Sequence, residues 1–213
     1  MRVDIWSDVI CPWCYVGKAR FEKALDNFAH RGEVEVIYHS FELDPSSPKG
    51  QGESNLEMLS KKFGKSPAEA LAMDGQVATL ARAEGLGFDS GRPAGNTFDI
   101  HRVLHLGLDR GVQRALLSAV NDAYFARALD VFDRGVLTEV AAGTGLDAAE
   151  VAVVFDGDAY TDEVRQDELQ AQQIGINGVP FFAFDMALGA SGAQSTALFT
   201  SALNQAWVRE HQP

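Results

Sequence analysis

The sequence predicts an α/β domain whose sheet is divided by a large all-helical insertion. Three observations predict it. The opening stretch reads strand, helix, strand. The closing stretch reads helix, strand, turn, strand, helix. Between them lie repeated helix-start signals and nothing resembling a strand. The expected division is residues 1–45 as the first half of the sheet domain, 46–159 as the helical insertion and 160–213 as the second half.

Residues 2–7 alternate in polarity with the period of two that a strand imposes. Residues 12–29 carry Phe21, Leu25 and Phe28 at helical spacing, and residues 33–41 alternate again through Val34, Val36 and Tyr38. The turn-rich segment 43–52 ends this unit. In the insertion, Ser54 with Glu57, Ser66 with Glu69 and Asp147 with Glu150 each set a capping residue ahead of an acid that can return the hydrogen bond. Leu116, Val120 and Tyr124 form one helical stripe, with Phe125, Leu129 and Phe132 beside it. A charged helix over 160–174 is followed by the apolar run 181–184, a turn at Asp185, a short strand at 187–188 and a helix over 195–207.

The chain of 213 residues has two cysteines, and they stand as Cys11-Pro12-Trp13-Cys14 directly after the first strand. A helix starting there offers Cys11 unpaired amides and the positive end of the helix dipole, which favour the nucleophilic thiolate. Cys14, one turn on, is positioned to attack a mixed disulfide at Cys11 and release its partner. Pro12 suits the first helical position, where the N–H it lacks would have no partner. Zinc would need further ligands from a chain with no other cysteine and five histidines. A purely structural disulfide closing so short a loop would constrain the unfolded chain little.

Trp13 is expected at the surface because the dithiol must be reachable, either against substrate or as cover for the insertion. Glu42, after the second strand, reads as an exposed acid, with proton relay to Cys14 as the alternative. His101 and His105 share a helical face with Leu104 and Leu108, which reads as hydrogen-bonded core, so no metal site is assigned.

A formal net charge of −12 argues against nucleic acid or an anionic membrane as partner. The start shows no basic segment followed by an apolar run, and no stretch approaches the roughly 20 apolar residues of a membrane span. The expectation is a cytoplasmic protein, in a compartment where a lone Cys-X-X-Cys is more often catalytic than structural. No dinucleotide fingerprint, phosphate loop or nucleophile elbow is present, so no cofactor is expected beyond the redox-active cysteines.

Five segments carry a family resemblance: residues 7–17 around the dithiol, Phe41-Glu42-Leu43-Asp44-Pro45, residues 96–102 from Asn96 to Arg102, residues 175–182 around Val179-Pro180, and Ser191-Gly192-Ala193-Gln194. In this order, from end to end, they resemble the DsbA-like thiol oxidoreductases, in particular the FrnE branch. The resemblance implies a thioredoxin-like fold with a helical insertion, Cys11 as the attacking thiol, Cys14 as the resolving thiol, and Val179-Pro180 as a cis-proline loop facing them. Local sequence alone leaves that bond cis or trans. Pro12, Trp13, Val179 and Pro180 are then the substrate-binding candidates, joined by Asn96 and His101 from a segment near the active-site face of the family.

The expected partners are disulfide- or dithiol-containing proteins or small thiols, with glutathione as a candidate co-substrate. One rival is a glutathione-dependent transferase or isomerase of the kappa-class or 2-hydroxychromene-2-carboxylate isomerase kind. Those relatives typically carry serine at the position of Cys11, so the dithiol counts against it. The other rival is a redox-switched holdase or binding module, which would show exposed apolar patches.

Overall fold

The computed structural model describes residues 1–49 and 52–211; Gly50 and Gln51 of the expected turn-rich segment lie outside the described residues. Among the described residues the elements run β1 (Arg2–Ser7), α1 (Pro12–Asp26), β2 (Glu35–Ser40), α2 (Asn55–Phe63), α3 (Pro67–Ala83), α4 (Phe98–Asp109), α5 (Gln113–Asn121), α6 (Arg134–Ala142), α7 (Ala148–Asp156), α8 (Thr161–Gln173), β3 (Phe181–Phe184), β4 (Leu188–Ser191) and α9 (Thr196–Glu210). The chain divides into two compact units, Met1–Leu43 with Arg165–Pro213, and Asp44–Val164. The second boundary falls between Val164 and Arg165, inside α8 and not at the expected 160, and the later α8 residue Ala171 packs with Trp6 of the sheet.

In the first unit the strands form one sheet in the order β2-β1-β3-β4. β1 runs parallel to β2 and antiparallel to β3, and β3 and β4 form a hairpin. β1 is thus hydrogen-bonded on both edges, and every residue after Arg2 is buried. Its polarity alternation therefore does not mark an exposed face: Asp4 and Ser7 are buried too. On one face, Phe182 and Phe184 of β3 meet Phe21 of α1 at 5.4 and 6.4 Å between ring centroids, and Phe199 of α9 closes on Phe182 at 4.5 Å. On the other face, Trp6 packs with Ala171, Ile176 and Ala183, flanked by Phe41, Val179 and Phe181. The register sets Trp6 between His39 and Phe181, and its ring stacks on His39 at 4.6 Å.

The polar residues of that second face are held in a charge cluster. His39 bonds Asp4 through Nε2 at 2.7 Å and Asp167 of α8 through Nδ1 at 2.6 Å. Asp167 also accepts from the Ser40 amide at 2.8 Å, and its carbonyl accepts from Trp6 Nε1 at 3.1 Å. Burial alone would lower the His39 pKa, but the hydrogen bonds to Asp167 and Asp4 prevail and hold it at about 9. Burial likewise opposes ionisation of Asp4, yet hydrogen bonds from His39 and Arg2 keep its carboxyl below the ordinary range.

The β3–β4 hairpin differs from the expected strand at 187–188. Asp185 and Met186 have φ of +47° and +53°, and the Ala187 amide closes back on the Phe184 carbonyl at 3.0 Å. β4 therefore starts at Leu188, opposite Phe184, and ends at Ser191, opposite Phe181. Gly189 hid this strand from a propensity reading, but a Cβ there would stand 2.8 Å from the Phe181 ring. α1 stops at Asp26, short of the expected 29, with Phe28 buried in the turn that follows.

The second unit holds the expected stripe in part: Leu116, Val120, Tyr124 and Phe125 are buried as α5 passes into a π-helical turn over Asp122–Ala126, but the helix ends there, so Leu129 and Phe132 lie beyond it and are only half-buried. The boxes at Ser54 and Ser66 both form. Asp147 caps α7 by accepting from the Ala149 amide at 2.7 Å, whereas Glu150 pairs with Arg110 instead of returning a bond. Two buried arginines stitch the unit. Arg92 pairs with Asp74 at 2.6 Å and lies over the Phe88 ring, and Arg102 donates to the carbonyls of Gly157 and Ala159. Among the described residues, no helix is long and apolar enough to cross a membrane.

Two predictions follow from the sheet unit. Because the folded pKa of His39 is raised, its stabilisation is complete below the ordinary value of 6.5 and is lost as the pH rises to about 9. Unfolding free energies of the parent and a His39→Gln variant should converge across that window by on the order of 3 kcal/mol, and a pH-independent difference would contradict the assignment. Met186→Gly should raise stability by about 1 kcal/mol by relieving a left-handed backbone at a non-glycine residue; urea midpoints of the two proteins measure it.

Candidate active site

β1 ends at Ser7, and α1 begins at Pro12 with Cys11 as its N-cap residue. The turn between them is closed by the Cys11 amide, which donates to the Asp8 carbonyl at 3.2 Å, and the Asp8 carboxylate accepts from the Leu43 amide at 2.8 Å. The Cys11 side chain makes no capping hydrogen bond, which leaves its sulfur directed elsewhere. Its thiol donates to the Val179 carbonyl at 3.8 Å. Cys14 follows in the first turn of the helix. Both thiols are free, so the structure is that of the dithiol.

Exposure separates the members of the motif. Trp13 is 45% exposed, as the motif suggested, but Cys11 and Cys14 are only 3% and 4% exposed. Burial pushes the Cys14 thiol well above the ordinary thiol range, and the hydrogen bond and charge of the Cys11 sulfur push the same way. The Ser7 hydroxyl and the Asp8 main chain oppose without prevailing.

The Val179–Pro180 peptide bond is cis. Pro180 is buried and Val179 half-buried, with its carbonyl toward Cys11. The Pro180 carbonyl in turn accepts from the Gly192 amide at 2.8 Å. This loop meets α1 at Gly17, where an added Cβ would stand 3.0 Å from Pro180 Cγ and 3.3 Å from the Ala193 Cα. Glycine inside a helix costs roughly 1 kcal/mol against alanine, so its presence at Gly17 was itself a signal of close approach. Arg20 lies further along the same helix and donates from Nη1 to the Ala193 carbonyl at 2.8 Å. Propensity and spacing gave no hint of that bond.

Glu42 corrects the sequence reading. It is buried, not exposed, because Arg165 of α8 donates to its carboxylate at 2.7 Å while Glu168 accepts from the same guanidinium at 2.6 Å. Asn96 and His101 belong to the second unit. Asn96 donates to the Ser47 carbonyl and accepts from the Phe98 amide, both at 3.0 Å, which fastens the start of α4. His101 is buried within α4, and His105 stacks on Tyr160. Among the described residues, no three His, Cys, Asp or Glu side chains converge as a metal-binding group.

A four-stranded mixed sheet in this order, with helices on both faces, is a thioredoxin-like α/β fold. The chain belongs to the DSBA-like thioredoxin domain family, whose profile matches residues 2–204. It is similar to a probable DsbA oxidoreductase from Streptomyces coelicolor at 51% identity and a TM-score of 0.94, with 100% of this chain and 92% of that chain covered. It is 27% identical over 185 residues to the uncharacterized protein YwbO of Bacillus subtilis, covering 85% of this chain and 86% of that one. The cytosolic disulfide reductase DsbM from Pseudomonas aeruginosa shares the fold at 17% identity and a TM-score of 0.67, covering 99% of this chain and 100% of its own. DsbM has also been solved with GSH. Membership makes the protein a thiol–disulfide redox enzyme in general class.

The Gly17 contact yields a stability test. Gly17→Val should lose about 1–3 kcal/mol from overpacking against Pro180 and Ala193, with a smaller loss for Gly17→Ala, as measured by denaturant unfolding. A valine variant as stable as the parent would show that α1 and the proline loop do not meet closely.

Proposed function

We propose that Cys11 and Cys14 are the catalytic dithiol of a disulfide oxidoreductase in the FrnE branch, acting on the disulfides of extended polypeptides or of small thiols. The observation that carries this reading is the asymmetry of the two thiols. Both are buried, but Cys11 sits at the helix start against the Val179 carbonyl, while the Cys14 thiol, one turn in, has its pKa raised by burial and by Cys11 itself. In the reductive direction the Cys11 thiolate attacks one sulfur of the substrate, and the other leaves as a thiolate that takes up a proton. Cys14 then loses its proton, attacks Cys11 Sγ and releases the first substrate sulfur, so that two electrons pass to the substrate and Cys11–Cys14 becomes the disulfide.

The Val179 backbone beside Cys11 suits an extended chain, which pairs through main-chain groups and so is read with little regard to sequence. Trp13, exposed between the cysteines, offers an apolar face to the substrate, and Pro12 and Pro180 shape the approach. Glutathione is the proposed small-thiol partner, supported by the fold shared with DsbM, a disulfide reductase solved with GSH. The proposed setting is the cytoplasm, where such a dithiol is kept reduced. Asn96 and His101 act in this reading as structural residues of the helical unit, in line with the hydrogen bonds of Asn96 and the burial of His101.

Turnover of a model peptide disulfide, with glutathione titrated into the same assay, tests the reading. Cys11→Ser should abolish exchange. Cys14→Ser should accumulate a mixed disulfide on Cys11, visible by mass spectrometry, because the intermediate forms but is not resolved. Adducts on Cys14 in the Cys11→Ser protein, with none on Cys11 in the other, would reverse the assignment.

A further inference from the structure

We propose that Arg20 is a positioning residue that holds the Val179 carbonyl at its place beside Cys11. The inference rests on the exchange reading above and adds a residue that touches neither cysteine in it.

The connection is a short series of polar contacts. Arg20 Nη1 donates to the Ala193 carbonyl at 2.8 Å. The neighbouring Gly192 amide donates to the Pro180 carbonyl at 2.8 Å. Pro180 is bonded directly to Val179, whose carbonyl accepts the Cys11 thiol at 3.8 Å. The segment from Ser191 to Gln194 is internally braced: the Gln194 amide donates to the Gly192 carbonyl at 2.9 Å, and Gln194 Nε2 donates to the Ser191 carbonyl at 2.6 Å. A displacement at Ala193 is therefore passed to Gly192 rather than absorbed.

Sterics and attraction divide the work between two residues of α1. Gly17 sets how closely the loop can approach, since even a methyl group there would meet Pro180 and Ala193. A steric limit stops the loop from moving inward and does nothing to stop it moving out. Arg20, on the same helix as Cys11 and Cys14, supplies the attractive tie. The helix that carries the nucleophile thus also grips the loop that carries its substrate-binding carbonyl. Displacement of a binding group by even a fraction of an ångström is costly for a reaction that depends on alignment.

The experiment compares the parent, Arg20→Ala and Arg20→Lys in three measurements: exchange with a peptide disulfide, alkylation of Cys11 by iodoacetamide, and hydrogen exchange at the Gly192 amide. In Arg20→Ala, kcat/KM for exchange should fall about tenfold, mainly through KM. Alkylation, which needs no backbone partner, should not fall with it, since a displaced Val179 carbonyl only frees the Cys11 sulfur, and the Gly192 amide should exchange faster. Arg20→Lys, which retains a cationic donor, should recover most of the loss. Unchanged exchange in Arg20→Ala would overturn the proposal, as would equal losses in exchange and alkylation. A parent that exchanges no disulfide would sink the proposed function instead. The Gly192 amide would then decide the Arg20 tie by itself: faster exchange in Arg20→Ala upholds it, and an unaltered rate refutes it.

Discussion

β1 is paired along both edges and covered on both faces, and the remainder of the first unit takes its position from that strand. Its register with β2 and β3 puts Trp6 between His39 and Phe181 and sets Asp4 within reach of the imidazole. Burying Asp4 without a partner would be expensive, and so would burying His39 in its charged form; together with Asp167 each relieves the other. The cluster also fastens α8 to β2 through one side chain, since Asp167 reaches both His39 and the Ser40 amide, while the Asp167 carbonyl accepts from Trp6 of β1. A strand so constrained leaves little freedom at its end, and Ser7 delivers the chain to a single turn and a single helix start.

The chemistry follows from that delivery. Two thiols that are equivalent as side chains and both buried differ by place: Cys11 stands at the N-cap position beside the Val179 carbonyl, and Cys14 lies in the first turn of the helix. Burial raises the Cys14 thiol pKa, and hydrogen bonds from Ser7 and the Asp8 main chain moderate that effect without reversing it. The glycine at position 17 then allows the opposing loop to close to van der Waals contact, so one short helix organises both sides of the site.

Much of this was legible residue by residue. The order of strands and helices, the cap boxes at Ser54 and Ser66, and the dithiol at a helix start all depend on groups within one turn of each other. Readings failed where a partner came from far along the chain. Glu42 reads as exposed because it follows a strand end; its cation is Arg165, distant in sequence but adjacent in space. Glu150 has the spacing to complete a box with Asp147, yet Arg110 offers it a full charge, a stronger partner than a main-chain amide. β4 was cut short by Gly189, whose missing side chain is what the Phe181 ring requires.

Periodicity, capping and turn chemistry act within a few residues, and they suffice for the α/β class, the helical interruption and the place of the dithiol. Packing supplied the 3.8 Å approach of the Val179 carbonyl to Cys11, the burial of Glu42 against Arg165 and the reach of Arg20 to Ala193. Each of these joins residues distant in the chain, and each depends on burial and distance, quantities that exist only after the strands have paired and the helices have packed on them.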